Sequence, residues 1–315
     1  MPDPFLQKWQ SLSSDSEKSE FIRHAMVANE RPEHFAELPP KFDRLLETHK
    51  APLELLKEIQ RIRKQKELKL EECLKPRRGF SYQKSWFQLA ITDQRDECPE
   101  LSNLLADPDP FIRQGHIIKT GKATTVAVVT FGKKQYFIKR YNSKGFLYSL
   151  TRSLIPSRAA VTWHAAQLLE SIGIPTARPV AILEKRWGPF KQTSYVIHEY
   201  VESIHAMKYF AEGAEPQPEW PAVAQEIDDI LYTLKRSLII HGDLKGQNFI
   251  IQNHQPLLID LDSLTSYPCS STYFRQYPKD LARFARNWKD EPQARTFFTP
   301  VINQLSKDIV DPSSL

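Results

Sequence analysis

The 315 residues are 41% hydrophobic and 26% charged, a globular balance that excludes a disordered or fibrous chain and leaves length for two domains. Lysine and arginine exceed aspartate and glutamate only 43 to 38, and this net charge of +5 does not indicate nucleic acid, although it suits an anionic substrate or surface. Three scattered cysteines, Cys73, Cys98 and Cys269, exclude a disulfide framework and fit a reducing compartment.

Residues 1–76 are rich in Glu, Lys and Arg and read as a helical N-terminal extension. The start, MPDPFLQKWQ, has no apolar core of a signal peptide. From Pro52 to Leu74, Leu55, Ile59 and Ile62 form an apolar stripe between charged faces, and Pro76 stops it. Packing on the main domain is the simpler reading. A partner- or membrane-surface helix is the other, since Arg61, Arg63, Lys64, Lys66 and Lys69 cluster there, interleaved with glutamates. His24, His34 and His49 read as solvated.

Strands follow. Thr124–Thr130 and Tyr136–Tyr141 flank a turn at Gly132–Gln135, and His116–Lys119 adds a third strand. A helix is expected over Arg158–Ser171, with Val161, Ala165, Leu168 and Leu169 on one face and Gly173 beyond its end. Two more strands fit Val180–Glu184 and Ser194–Tyr200. After a Pro-rich break, a second amphipathic helix spans Ala222–Arg236 on Val223, Ile227, Ile230, Leu231 and Leu234. The last expected helix is Asp280–Trp288, with Asp280 at or near its N-cap. Trp86, Trp163 and Trp288 are expected in the core. The most apolar window, Val126–Phe131, is too short to cross a bilayer, so any membrane contact is peripheral.

The chemistry concentrates in three places. His241-Gly242-Asp243-Leu244-Lys245-Gly246-Gln247-Asn248 has the spacing H-x-D-x-K-x-x-N of a kinase catalytic loop. Transfer of a phosphoryl group needs a carboxylate beside the acceptor hydroxyl, a cation near the moving phosphate and an oxygen ligand on magnesium. Asp243, Lys245 and Asn248 supply these from one loop, where a helix would splay them around its circumference. Leu257-Leu258-Ile259 then delivers Asp260 at a strand end as the metal-binding carboxylate, while Asp262 reads either as its assistant or, more simply, as a turn cap. Upstream, Lys139 stands inside the apolar strand Tyr136–Tyr141, a costly place for a charge without a partner. His241 reads as a support for the loop backbone.

HGDLKGQN followed by LLIDLDS resembles the lipopolysaccharide kinase family, the enzymes that phosphorylate Kdo or heptose of the inner core, and so the protein-kinase-like superfamily. FIKRY at 137–141, the segment from Trp163 to Glu184, YVIHEYVE at 195–202 and KDLARFARNW at 279–288 agree, so the likeness covers residues 78–290. It implies an α+β, two-lobed kinase-like fold behind the N-terminal helical extension, with an ATP-binding lobe at 77–200 and a catalytic lobe at 201–315. It also implies Mg-ATP chemistry on a sugar or glycolipid hydroxyl at the cytoplasmic face of the inner membrane. Asp243 and Lys245 would be catalytic and Asn248 and Asp260 would hold Mg. Gly121, Lys139, Glu199 and Val201 would bind ATP, the last two as the adenine hinge.

The chain departs from the protein-kinase pattern in places. Lys119–Thr125 has one glycine, Gly121, where protein kinases use several, and it is not a Walker loop. Glu170 and Glu184 are the candidate partners of Lys139. No A-P-E segment follows Asp260, which argues against a protein Ser/Thr/Tyr kinase. A nucleotide-binding pseudokinase scaffold is the alternative from a different class. Lys245 stands where an aminoglycoside-type kinase would carry histidine.

Overall fold

The computed structural model describes residues 70–131, 134–142, 155–211, 217–267 and 270–307. The expected helix over 52–74 lies outside them except for its last turn, Leu70–Cys73, and so do His24, His34, His49 and Cys269.

The first half is built on seven strands: β1 (Phe80–Lys84), β2 (Gln88–Asp93), β3 (His116–Thr120), β4 (Thr124–Phe131), β5 (Lys134–Tyr141), β6 (Pro179–Trp187) and β7 (Phe190–Glu199). They form one antiparallel sheet in the order β1-β2-β6-β7-β5-β4-β3. Side chains alternate between its faces. Ala90, Ile138, Leu183, Tyr195 and Ile197 pack on α1 (Pro99–Ala106) and α2 (Pro108–Gln114), each begun by a proline whose fixed φ suits a first turn. Leu89, Ile91, Tyr141, Ile182 and Val196 face α3 (Arg158–Ser171), around a fully buried Trp163. Lys139, between Ile138 and Tyr141 in sequence, shares the α3 face with Tyr141.

The expected bounds of α3 match, but its burial does not follow one stripe. Ala159, Ala160, Thr162, Trp163, Ala165, Ala166, Leu168 and Leu169 are all buried, because the helix lies between the sheet and the second core. Trp163 and Trp288 are core as expected, whereas Trp86 sits in the β1–β2 turn and is 63% exposed.

The second half packs α4 (Trp220–Arg236), α5 (Ser270–Asn287) and α6 (Pro292–Lys307) around short strands β8 (Ile204–His205), β9 (Ile239–Ile240), β10 (Phe249–Gln252), β11 (Gln255–Leu258) and β12 (Thr265–Ser266). Phe210, Trp220, Phe284, Trp288 and Phe298 meet there edge-on or tilted. The α5 helix corrects the expected bounds. It begins at Ser270 and runs through Pro278, so Asp280 is an interior residue and not an N-cap. Proline in a helix removes a backbone donor, yet Tyr273, Tyr277, Leu281 and Phe284 keep helical spacing across it and are all buried. β12 ends only a few residues before α5 starts.

Candidate active site

The loop from His241 to Asn248 leaves β9 and enters β10 through a 3₁₀ turn, Gly246–Asn248. His241 is fully buried. Its Nε2–H donates to the Ile259 carbonyl at 2.9 Å and its Nδ1 accepts from the Asp243 amide at 3.3 Å. The second bond requires the neutral ring, since Nδ1 must accept, and burial holds its pKa below the ordinary histidine value. His241 therefore ties the loop to the strand that carries Asp260, as expected of a backbone support.

Asp243 accepts from Lys245 Nζ at 2.6 Å, and Arg283 Nε lies 3.7 Å from its other oxygen. Asn248 Nδ2 donates to the Asp243 carbonyl at 2.8 Å, which leaves Asn248 Oδ1 as the atom suited to a cation. The Asn248 carbonyl accepts from Ile259 N at 2.8 Å, so Asp260 follows directly on the residue bonded to Asn248.

Across from this loop, Lys139 Nζ donates to Asp260 and, at 3.1 Å, to Asp262. Residues 121 positions apart are thus joined between the sheet and the helical half. Burial alone would lower the Lys139 pKa, but Tyr141, Asp260 and Asp262 drive it above the usual lysine value. Burial likewise pushes Asp260 up, but the groups facing it, Lys139 foremost and Lys245 also, together hold the carboxyl below its usual range. Asp262 also receives Arg158 at the first turn of α3. Neither glutamate expected beside Lys139 takes that place. Glu184 is fully buried and bonds Ser157 and Arg186, and Glu170 is exposed near the end of α3. Two aspartates provide the matching charge, so Asp262 is an ion-pair partner and not merely a turn cap.

The other residues expected to contact nucleotide, Gly121, Glu199 and Val201, sit at or just beyond strand ends. Gly121 turns β3 into β4, its amide donating to Thr124 O at 2.9 Å while its carbonyl accepts from Asn142 Nδ2 at 2.9 Å. Glu199 ends β7 and accepts from Arg178 Nη2 at 3.2 Å, and Val201 follows in the connection to the helical half, its carbonyl accepting from Ser203 Oγ.

Residues 106–297 match the sequence profile of the lipopolysaccharide kinase (Kdo/WaaP) family. The chain belongs to that family. A solved structure described as WaaP in complex with acyl carrier protein aligns over 68% of this chain and 98% of that one, with 16% identity and a TM-score of 0.47. A search of curated proteins gave no match. Membership makes this Kdo/WaaP-family protein a relative of phosphotransferases of lipopolysaccharide biosynthesis.

The main residue that sequence reading missed in this lipopolysaccharide-kinase relative is Asp280. Its Oδ2 accepts from the backbone amides of His241 at 2.9 Å and Gly242 at 3.2 Å, and its Oδ1 from Leu244 at 3.2 Å. Arg283, one turn on, braces Asp280 and donates to the Gly242 carbonyl at 2.7 Å, while Asn287 accepts from Gly246 N at 2.9 Å. One face of α5 therefore fixes the loop through its backbone. The clue was the apolar spacing that continues N-terminal to Pro278.

Gly242 fixes the other side of the loop. Its φ is +84°, and an added Cβ would lie 2.6 Å from the Ser263 carbonyl oxygen. Gly242→Ala is expected to destabilise the fold by roughly 2 kcal/mol from backbone strain and contact with Ser263. Thermal melting checks this, and a melting temperature within a degree of the parent would show that the approach is not tight.

Among the described residues, no cluster of three His, Cys, Asp or Glu side chains forms a metal cage. Magnesium does not require one when a substrate supplies phosphate oxygens, since one or two protein carboxylates suffice. The Asp260 carboxylate and the Asn248 amide oxygen are hard donors of the right kind.

Proposed function

We propose that this Kdo/WaaP-family protein transfers the γ-phosphoryl group of ATP to a sugar hydroxyl, Kdo or heptose, of the lipopolysaccharide inner core. The single observation behind this reading is the pairing of Lys139 with Asp260 beside the Asp243–Asn248 loop. It joins the expected phosphate-binding lysine to the expected metal-binding carboxylate. The kinase-like arrangement that goes with it has an ATP-binding lobe at 77–200, a catalytic lobe at 201–315 and an extension at 1–76.

Asp243 accepts the acceptor hydroxyl's proton and aims its oxygen at the phosphorus. Lys245, already 2.6 Å from Asp243, places positive charge where the transferred group gains negative charge. Lys139 exchanges Asp260 for the α- and β-phosphates. A magnesium ion, held by Asp260 and Asn248, would neutralise phosphate charge when bound. Gly121 approaches the phosphates through its backbone, and Glu199 and Val201 present backbone groups to adenine. An anionic, phosphorylated acceptor suits Arg283 beside Asp243. The glycolipid acceptor places the work at the cytoplasmic face of the inner membrane, with peripheral contact; no helix among the described residues is long and apolar enough to span a bilayer.

The short connection from Asp260 to α5 favours a small acceptor over a protein substrate, because little chain is left to build a peptide groove. A pseudokinase scaffold gains no support from Lys139, which is not missing its carboxylate partners. Purified protein incubated with labelled Mg-ATP and core oligosaccharide should move label to the sugar, with the site read by mass spectrometry. Label on protein alone would favour the protein-kinase reading, and no label with intact ATP binding would favour the scaffold.

A further inference from the structure

One rim of the seven-stranded sheet, at the opposite end of β7 from Glu199, displays a cluster of exposed apolar side chains. Trp86 is 63%, Phe87 65%, Trp187 52% and Ile155 48% exposed. Trp86 and Phe87 form the turn between β1 and β2, and Trp187 and Phe190 close the β6–β7 hairpin with ring centroids 6.5 Å apart. The two turns are joined, with Arg186 N donating to Phe87 O at 2.6 Å and Gly188 N to Trp86 O at 2.9 Å. Gly188, at φ +58°, lets the Trp86 ring lie against its backbone, where a Cβ would come within 2.7 Å. Lys191 Nζ donates to Ile155 O at 2.8 Å and ties the approach to α3 into the same rim.

The chain segments that form this rim are basic, and carboxylates from neighbouring positions pair with some of their cations. Segments 84–88, 155–158 and 185–191 contain Lys84, Arg158, Lys185, Arg186 and Lys191 and no aspartate or glutamate. Lys185 pairs with Asp107 on the α1–α2 side, and Arg186 pairs with the buried Glu184. The aromatic side chains sit exposed at two joined turn tips, a shape suited to insertion into a soft surface more than to gripping a helix or an extended peptide. Tryptophan favours the headgroup level of a bilayer, and lysine beside it favours anionic lipid.

We propose that this rim docks on an anionic bilayer surface. The proposal supplies the surface for the peripheral contact included in the reading above, and its test needs no turnover, so either can fail alone. Docking at Ile155 would sit three residues before Arg158, whose guanidinium holds Asp262.

The full chain is sedimented with vesicles of phosphatidylcholine alone and of phosphatidylcholine with phosphatidylglycerol. Binding is expected to the second, weakening with added salt. Trp86→Ser with Trp187→Ser should weaken binding about tenfold or more, since both remove interfacial aromatic surface. Lys84→Glu with Lys191→Glu leaves every rim aromatic in place and should weaken it by roughly fivefold per lysine removed. Melting temperatures near the parent's would confirm folding. Failure of the parent to bind anionic vesicles, parental binding by both variants, or binding only to an acidic soluble protein would each overturn the proposal.

Discussion

Asp243→Asn is expected to lower phosphate transfer by about 10²–10⁴ while leaving ATP affinity within a few fold, the range set by loss of a positioned general base. The amide is isosteric and still accepts from Lys245, so the loop keeps its shape. It cannot take a proton at neutral pH. Turnover measured with core oligosaccharide, alongside nucleotide binding, separates the two effects. Unchanged turnover would remove Asp243 from the chemistry, and lost nucleotide binding would mean that the substitution had disturbed the loop instead.

The second large effect belongs to Asp280→Ala. Three amides, of His241, Gly242 and Leu244, donate to this one buried carboxylate. Its removal orphans them at a cost of about 1–3 kcal/mol each, partly recovered by water or relaxation. A net loss of about 3–5 kcal/mol of stability is expected, with turnover falling alongside because Asp243 sits between two of the released amides. Asp280→Asn keeps an oxygen acceptor and should fall between parent and alanine variant. Thermal melting and turnover of both variants check this. A melting temperature within a degree or two of the parent for Asp280→Ala would show that the loop is held by other contacts.

The sequence was most legible where local pattern and burial agree. The α3 bounds, the β4–β5 hairpin and the α4 stripe follow from spacing alone, and β5 carries Lys139 as its apolar run implied. Long-range pairing was not legible. Lys139 was expected beside Glu170 or Glu184, yet its charge is met by Asp260 and Asp262. A turn aspartate in a sequence gives no sign of which distant cation will reach it. Asp280 was obscured by Pro278, which ends most helices but here lies within one whose apolar face outweighs the lost donor. Trp86 failed for a related reason, since tryptophan usually supplies buried area and only the joined turns reveal that this ring faces outward.

The close succession of β12 and α5 has a consequence for control. Kinases that are switched by covalent tagging use a long flap between the metal-binding aspartate and the following helix. Here that connection is residues 261–269, and its described part is taken up by the 3₁₀ turn Leu261–Ser263 and by β12, so little chain remains from which to build such a flap. Under the kinase reading proposed above, a connection this short gives covalent tagging little chain to act on, and supply of the acceptor, more than a chemical latch, would set the pace.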